Sequence, residues 1–205
     1  MPVEPDSAAR PRFEISASDD ALLTDQVLHI DFVAVAPDAG EAARDQVIAG
    51  ALALRDISGV VDAGAIEGEA GSDFDLAVFW VLEGFARLEP FGTDARYVRF
   101  LQGTVAPRLR AFSGADVSLD ADYEGVREFA ACLALEAPPE TYDWEVRERL
   151  TAWAEGQMGE RLIGLAVGER QRYRGLALVS AQTPLAAQQG VGAGTSIAGR
   201  TRREV

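Results

Sequence analysis

The sequence predicts an α+β fold assembled from strand–helix–strand–strand units. Three observations predict it. Apolar runs of strand length with period two open and follow an amphipathic helix in the first half of the chain. The same order of elements returns in the second half. Glycine and proline clusters separate the elements at matching places.

Residues 1–25, rich in Pro, Ala and acid at the start, read as an N-terminal lead, in which Arg12-Phe-Glu-Ile-Ser-Ala-Ser18 alternates like a short strand. The first strand is Val27-Leu-His-Ile-Asp-Phe-Val-Ala-Val35, stopped by Pro37. A helix follows from about Ala39, with Ala43, Val47, Ile48, Ala51 and Leu54 on one face, and Ser58-Gly59 ends it. Strands are predicted at Val60–Ile66 and Phe74–Leu82, then a short helical segment from Gly84. A longer helix is expected over Ala95–Ala111, with Tyr97, Phe100, Leu101, Val105 and Leu109 inward and a kink at Pro107. Ala115–Leu119 closes the unit as a fourth strand. The order β-α-β-β-α-β is the ferredoxin-like split motif.

The second half repeats this in shorter form. Glu128–Glu136 reads as a strand and Thr141 as the cap of a helix carrying Tyr142, Val146, Leu150 and Trp153. Arg161–Val167 and Tyr173–Ala181 read as strands, and Thr183-Pro184 as a helix start. Element starts in the two halves keep the same offsets to within about two residues, which marks a degenerate internal repeat. The expected organisation is a ferredoxin-like unit over 26–119, a solvated linker over 120–126, a second, degenerate unit over 127–189 and a flexible tail over 190–205. The fourth strand missing from the second unit is expected from residues 12–18. Two such units in one chain predict an intrachain pseudo-dimeric α+β barrel, with a homodimer of that barrel left open.

Net charge is −14, and all 19 basic residues are arginine. This balance disfavours nucleic acid and anionic membranes as partners, and the lack of lysine excludes Schiff-base chemistry. No apolar run nears the roughly 18 residues of a membrane span, and Met1-Pro-Val-Glu-Pro-Asp6 does not resemble a signal peptide, so the expected location is cytoplasmic. The single cysteine, Cys132, lies in an apolar run and reads as a buried hydrophobe. No cofactor is expected, since neither a G-x-G-x-x-G signature nor a P-loop occurs. No metal is expected either. Asp120-Ala-Asp-Tyr-Glu-Gly125 starts like a calcium loop but has Ala131 at its twelfth position.

Residues 26–119 resemble the stress-responsive dimeric α/β-barrel (Dabb) family. The resemblance is carried by His29, Ser58-Gly-Val60, Gly64, Ser72-Asp-Phe-Asp-Leu-Ala-Val78, Phe91, Tyr97-Val-Arg-Phe100 and Val105-Ala-Pro107. It implies a barrel made by pairing two sheets, with a hydrophobic substrate held between sheet and helices in some members. Plant members include a polyketide cyclase and a hydroxynitrile lyase, both free of cofactors, whose chemistry uses a histidine in the second helix and a tyrosine about six residues earlier. Here Tyr97 stands at the histidine position and Phe91 at the tyrosine position, so that dyad is absent.

Three residues remain for acid–base chemistry. His29 is the only histidine, and alternation puts it on one strand face with Asp31, which can orient the ring or raise its pKa to make a general base. Tyr97 can donate a proton to a developing enolate or alkoxide. The alternative for each is structural: a strand histidine satisfied by backbone, and a tyrosine at the rim of a core. Trp80, Phe79, Phe91 and Phe100, with Tyr142 and Tyr173 of the second unit, are the candidate substrate-binding residues, or else packing. The expected ligand is a small, apolar metabolite. The expected activity is cofactor-free proton transfer of cyclase, isomerase or lyase type; the alternatives are non-catalytic binding in the same pocket and a structural or stress-related barrel whose sheets matter only for assembly.

Overall fold

A computed structural model describes residues 25–69, 72–123, 128–157, 159–167, 172–180 and 194–202. Strand β1, Val27–Val35, leads into helix α1, Glu41–Leu52. The helical face read from the sequence is the buried one: Ala43, Val47, Ile48, Ala51 and Leu54 all pack inward. Gly59, at φ 89°, turns the chain out of this segment in a conformation that costs a side-chain-bearing residue more. Strands β2, Val60–Gly68, and β3, Leu76–Leu82, follow.

Helix α2 is Leu88–Thr93 and helix α3 is Ala95–Arg99, started by the Asp94 carboxylate accepting from the Arg96 N–H. Beyond Arg99 the helix widens to a π-type turn, Phe100–Val105, and tightens to a 3₁₀ turn, Ala106–Arg108. The helix expected to run to Ala111 therefore ends at Arg108, one residue past Pro107. Strand β4, Leu109–Leu119, begins there and is longer than expected.

The second unit comprises β5, Ala131–Glu136; α4, Asp143–Glu155; β6, Glu160–Ala166; β7, Tyr173–Ser180; and β8, Gly194–Arg202. The cap of α4 is Tyr142, not Thr141. The Glu145 carboxylate reaches back to accept from the Tyr142 N–H at 3.2 Å.

The strands close into a barrel in the order β1-β3-β2-β8-β5-β7-β6-β4. Each unit contributes the ferredoxin-like order, β4-β1-β3-β2 from the first and β8-β5-β7-β6 from the second. Two antiparallel seams join them: β2 to β8 at Ala65↔Arg202 through Gly68↔Gly199, and β4 to β6 at Val117↔Ala166 through Leu119↔Gly164. The chain is thus an intrachain pseudo-dimeric barrel.

Two expectations are corrected here. The segment read as a flexible tail supplies β8, because its backbone pairs on both sides, with β2 and with β5. The fourth strand of the second unit is therefore C-terminal. Residues 12–18 lie outside the described residues, as does the helix start at Thr183. The stretch read as a solvated linker also contributes to the core. Tyr123 is buried, its hydroxyl donates to Asp62 Oδ2 at 2.6 Å, and its N–H donates to Gln26 Oε1.

Alternation along the strands sorts side chains between two cores. Leu28, Ile30 and Phe32 point into the barrel with Phe79, Cys132 and Tyr173. The intervening positions face outward, where α1–α3 cover the first sheet and α4 covers the second. Each fully buried side chain of this size contributes about 1.5–3 kcal/mol. Burial pushes the Cys132 thiol pKa up, as suits an inert core residue.

Candidate acid–base site

The outward face of β1 carries His29, Asp31, Val33 and Val35, and the last two pack under the helices. His29 lies opposite Trp80 of β3 and Asp116 of β4. That register brings four polar groups together. His29 Nδ1 is 2.6 Å from Asp116 Oδ1, and Nε2 is 2.8 Å from the Tyr97 hydroxyl. The same hydroxyl donates to Asp31 Oδ2 at 3.0 Å. Asp31 Oδ1 stands 3.6 Å from Nε2. Gly114, paired with Asp31, leaves room for the carboxylate, since a Cβ there would come within 2.9 Å of Oδ1.

Donor counting fixes the protonation of this chain. Ionised Asp31 and Asp116 can only accept. Tyr97 gives its one proton to Asp31, so its oxygen accepts from Nε2–H, while Nδ1–H donates to Asp116. Both ring nitrogens then carry hydrogen, and His29 is an imidazolium. Electrostatics agrees. Burial would lower the pKa, but the charge of Asp31 and the hydrogen bond to Asp116 more than reverse it, to about 10. The Tyr97 hydroxyl is pushed well above the usual tyrosine range, by burial first and then by the Asp31 charge, so it stays neutral. In this arrangement both ring nitrogens of His29 are engaged, one by Asp116 and one by Tyr97.

Trp80, Phe91 and Tyr97 surround the imidazolium, with ring centroids 5.5, 5.4 and 5.5 Å away. The Trp80 indole N–H donates to the Ala51 carbonyl at 3.0 Å, which pins this wall to α1. Phe100 packs behind Trp80 at 6.0 Å and fills the space over Gly50. The other candidates lie elsewhere. Phe79, one residue before Trp80, points into the barrel against Phe129. Tyr173 is also in the barrel, edge-on to Phe32. Tyr142 is exposed at the start of α4. Sequence reasoning missed Asp116. Its only signal is a polar residue on the outward face of Ala115–Leu119, which looks like any solvated strand position.

Beyond the His29–Asp116 pair, the next outward pair in register is Val27 and Ser118. These two line a surface depression of about 640 Å³ with Asp25, Val167 and the turn from Glu83 to Arg87. The Val167 N–H donates to the backbone carbonyl of Asp116 at 2.9 Å, and neither Asp116 nor His29 lines the depression. No group of three or more His, Cys, Asp or Glu side chains with metal-binding geometry occurs among the described residues.

An anthrone oxidase-like protein matches 86% of this chain and 92% of its own, with a TM-score of 0.58 and 11% identity. A candidate monooxygenase from Lactobacillus acidophilus matches 77% of this chain and 78% of its own, at a TM-score of 0.50 and 13% identity.

The chain is a two-unit ferredoxin-like barrel.

A Dabb family protein with a ferredoxin-like fold from Mesorhizobium loti matches 50% of this chain and 99% of its own, at a TM-score of 0.41 and 13% identity. No family model and no curated protein matches the sequence. Among the described residues, no helix is long and apolar enough to cross a membrane.

Proposed function

We propose that this barrel is a cofactor-independent enzyme that moves protons on a small, largely apolar metabolite, in a reaction of cyclase, isomerase or lyase type. The observation that carries this reading is the hydrogen-bonded chain Asp116–His29–Tyr97–Asp31, closed only when His29 is an imidazolium and set within an aromatic cage. A cation and a neutral phenol held this way supply charge and protons to a developing enolate or alkoxide. Asp31, buried beneath them, keeps the imidazolium charged and the hydroxyl aimed. Trp80 and Phe91 form the apolar wall. The names of the anthrone oxidase-like protein and the candidate monooxygenase are in keeping with small-molecule chemistry in this architecture.

A second reading is a binding barrel without turnover. It is favoured by the fact that both N–H groups of the imidazolium are already taken by Asp116 and Tyr97. One experiment separates the two. Ligand co-purified with the protein is identified by native mass spectrometry, then incubated with wild type, His29→Ala and Tyr97→Phe. Turnover by wild type that is lost in both variants, with binding kept, supports the enzyme. Binding with no turnover by wild type supports the second reading, and turnover surviving both changes removes His29 and Tyr97 from the chemistry.

A further inference from the structure

We infer that the substrate of this site docks on the open outer face of β4, lying over Gly114 between Phe112 and Asp116, and that it is a neutral, flat, apolar molecule of naphthol size with a hydroxyl at one end. The inference rests on the acid–base reading above and adds to it the surface that holds the ligand and the residues that select it.

Ala115, Val117 and Leu119 belong to the barrel core, so alternation turns Phe112, Gly114 and Asp116 to the outer face. There they stand opposite Val33, Asp31 and His29 of β1, in that order. Within the cluster Asp31 and Tyr97 are buried, and the side chains left partly open are those of His29 and Asp116, at 15% and 30% exposed. A ligand therefore meets the cluster at its His29–Asp116 edge. The adjoining position on that face is Gly114, which is exposed. A Cβ there would meet Asp31 Oδ1 at 2.9 Å and the Ile30 carbonyl at 3.4 Å and, among the described residues, nothing else within 4 Å.

The missing side chain leaves a gap with two unlike ends. At one end Phe112 is 43% exposed, a phenyl ring that gains from being covered. The other end, the Asp116–His29 pair, lies about 13 Å away along the strand. A molecule of naphthol size bridges that span with contact distances at both ends. Charge selects against anions, because the carboxylates of Asp31 and Asp116 outweigh the single imidazolium. Hydrogen bonding selects a hydroxyl. Both N–H groups of His29 are engaged, so the polar end offers acceptors, and a carboxylate accommodates more than one donor.

Phe112 is then an apolar contact outside the helical layer, and Gly114 sets which ligands fit. Any side chain at 114 shortens the gap and presses on the Asp31 carboxylate that holds the Tyr97 hydroxyl. Among the described residues, no strand pairs with Leu109–Ala115 on the side away from β1, so this face lies at an open rim of the sheet.

The probe is 2-naphthol, uncharged at neutral pH, with naphthalene-2-sulfonate as its anionic counterpart. Because His29 is the only histidine, its ring signals in protein labelled with ¹⁵N-histidine report contact at the site. 2-Naphthol should shift those signals saturably, and the sulfonate should not. Phe112→Ala should weaken binding about fivefold and Gly114→Ala about tenfold or more. Trp144→Ala, at an exposed tryptophan on α4, should change nothing. Phe112 is at the surface, and thermal melting of each variant reports whether it is folded. No binding by wild type, binding that leaves the His29 signals unmoved, equal binding of the sulfonate, or binding that survives both Phe112→Ala and Gly114→Ala overturns the inference. Naphthol binding as expected with no turnover of the co-purified ligand would end the enzyme reading and leave the docking surface standing. Turnover that depends on His29, in a protein whose Phe112→Ala and Gly114→Ala variants bind naphthol like wild type, would remove the docking surface alone.

Discussion

His29 and Asp116 face one another across the β1–β4 pair with 2.6 Å between Nδ1 and Oδ1, a charge-assisted hydrogen bond between residues 87 positions apart. Neither residue sets the protonation state alone. Asp116 holds one ring nitrogen, Tyr97 accepts from the other, and Asp31 takes the tyrosine proton.

That arrangement makes stability depend on pH. In the unfolded chain a histidine titrates near 6.5, and here its pKa is raised to about 10. The contribution of the charged ring is therefore complete below about pH 6.5, declines as pH rises, and is gone above about 10. Urea midpoints of wild type should fall from pH 7 to 10, and those of His29→Gln should fall less. Parallel curves for the two proteins would contradict this.

Tyr97→Phe removes the hydroxyl that links imidazolium and Asp31. The buried carboxylate then loses its donor, at a cost of about 1–3 kcal/mol. Equilibrium denaturation at neutral pH should show this loss without a change in the urea m-value.

Gly164 sits on the β4–β6 seam, where a Cβ would lie 2.5 Å from Val117 Cγ2 and 3.1 Å from the Ser118 carbonyl. Gly164→Val should therefore destabilise the fold by about 1–3 kcal/mol or more. Thermal melting should show the loss, and a variant that melts with wild type would mean the seam is looser than described.

Removing residues 194–205 deletes β8 and leaves β2 and β5 with unpaired edges. The expected outcome in light-scattering chromatography is self-association or aggregation. A stable, monomeric truncated protein would show that β8 is dispensable to the barrel.

Much of the fold is legible in the sequence because burial follows simple periods. The bounds of β1 and the inner face of α1 match the apolar pattern residue by residue. Pattern failed where backbone pairing replaces side-chain burial. In β8, Gly194–Arg202, Ile197 is a core residue and glycine, threonine and arginine fill much of the rest, so hydrogen bonds on both sides define it instead. The first half of β4 is largely exposed, and its Arg-Ala-Phe sequence suits a helix equally well. At the site, His29, Asp31 and Tyr97 were visible as residue types. Asp116 was not, because its partner lies on another strand and register alone brings them together. Phe79 and Trp80 are adjacent in sequence and belong to opposite faces, so a list of aromatics could not separate wall from core.

The central claim is that His29 is held as an imidazolium between Asp116 and the Tyr97–Asp31 pair. Because the chain has a single histidine, its ring nitrogens can be read without ambiguity in a ¹⁵N NMR titration. At pH 8 both nitrogens should carry protons, with the titration midpoint near pH 10. A neutral ring at pH 8, with a midpoint near 6.5, would contradict the account.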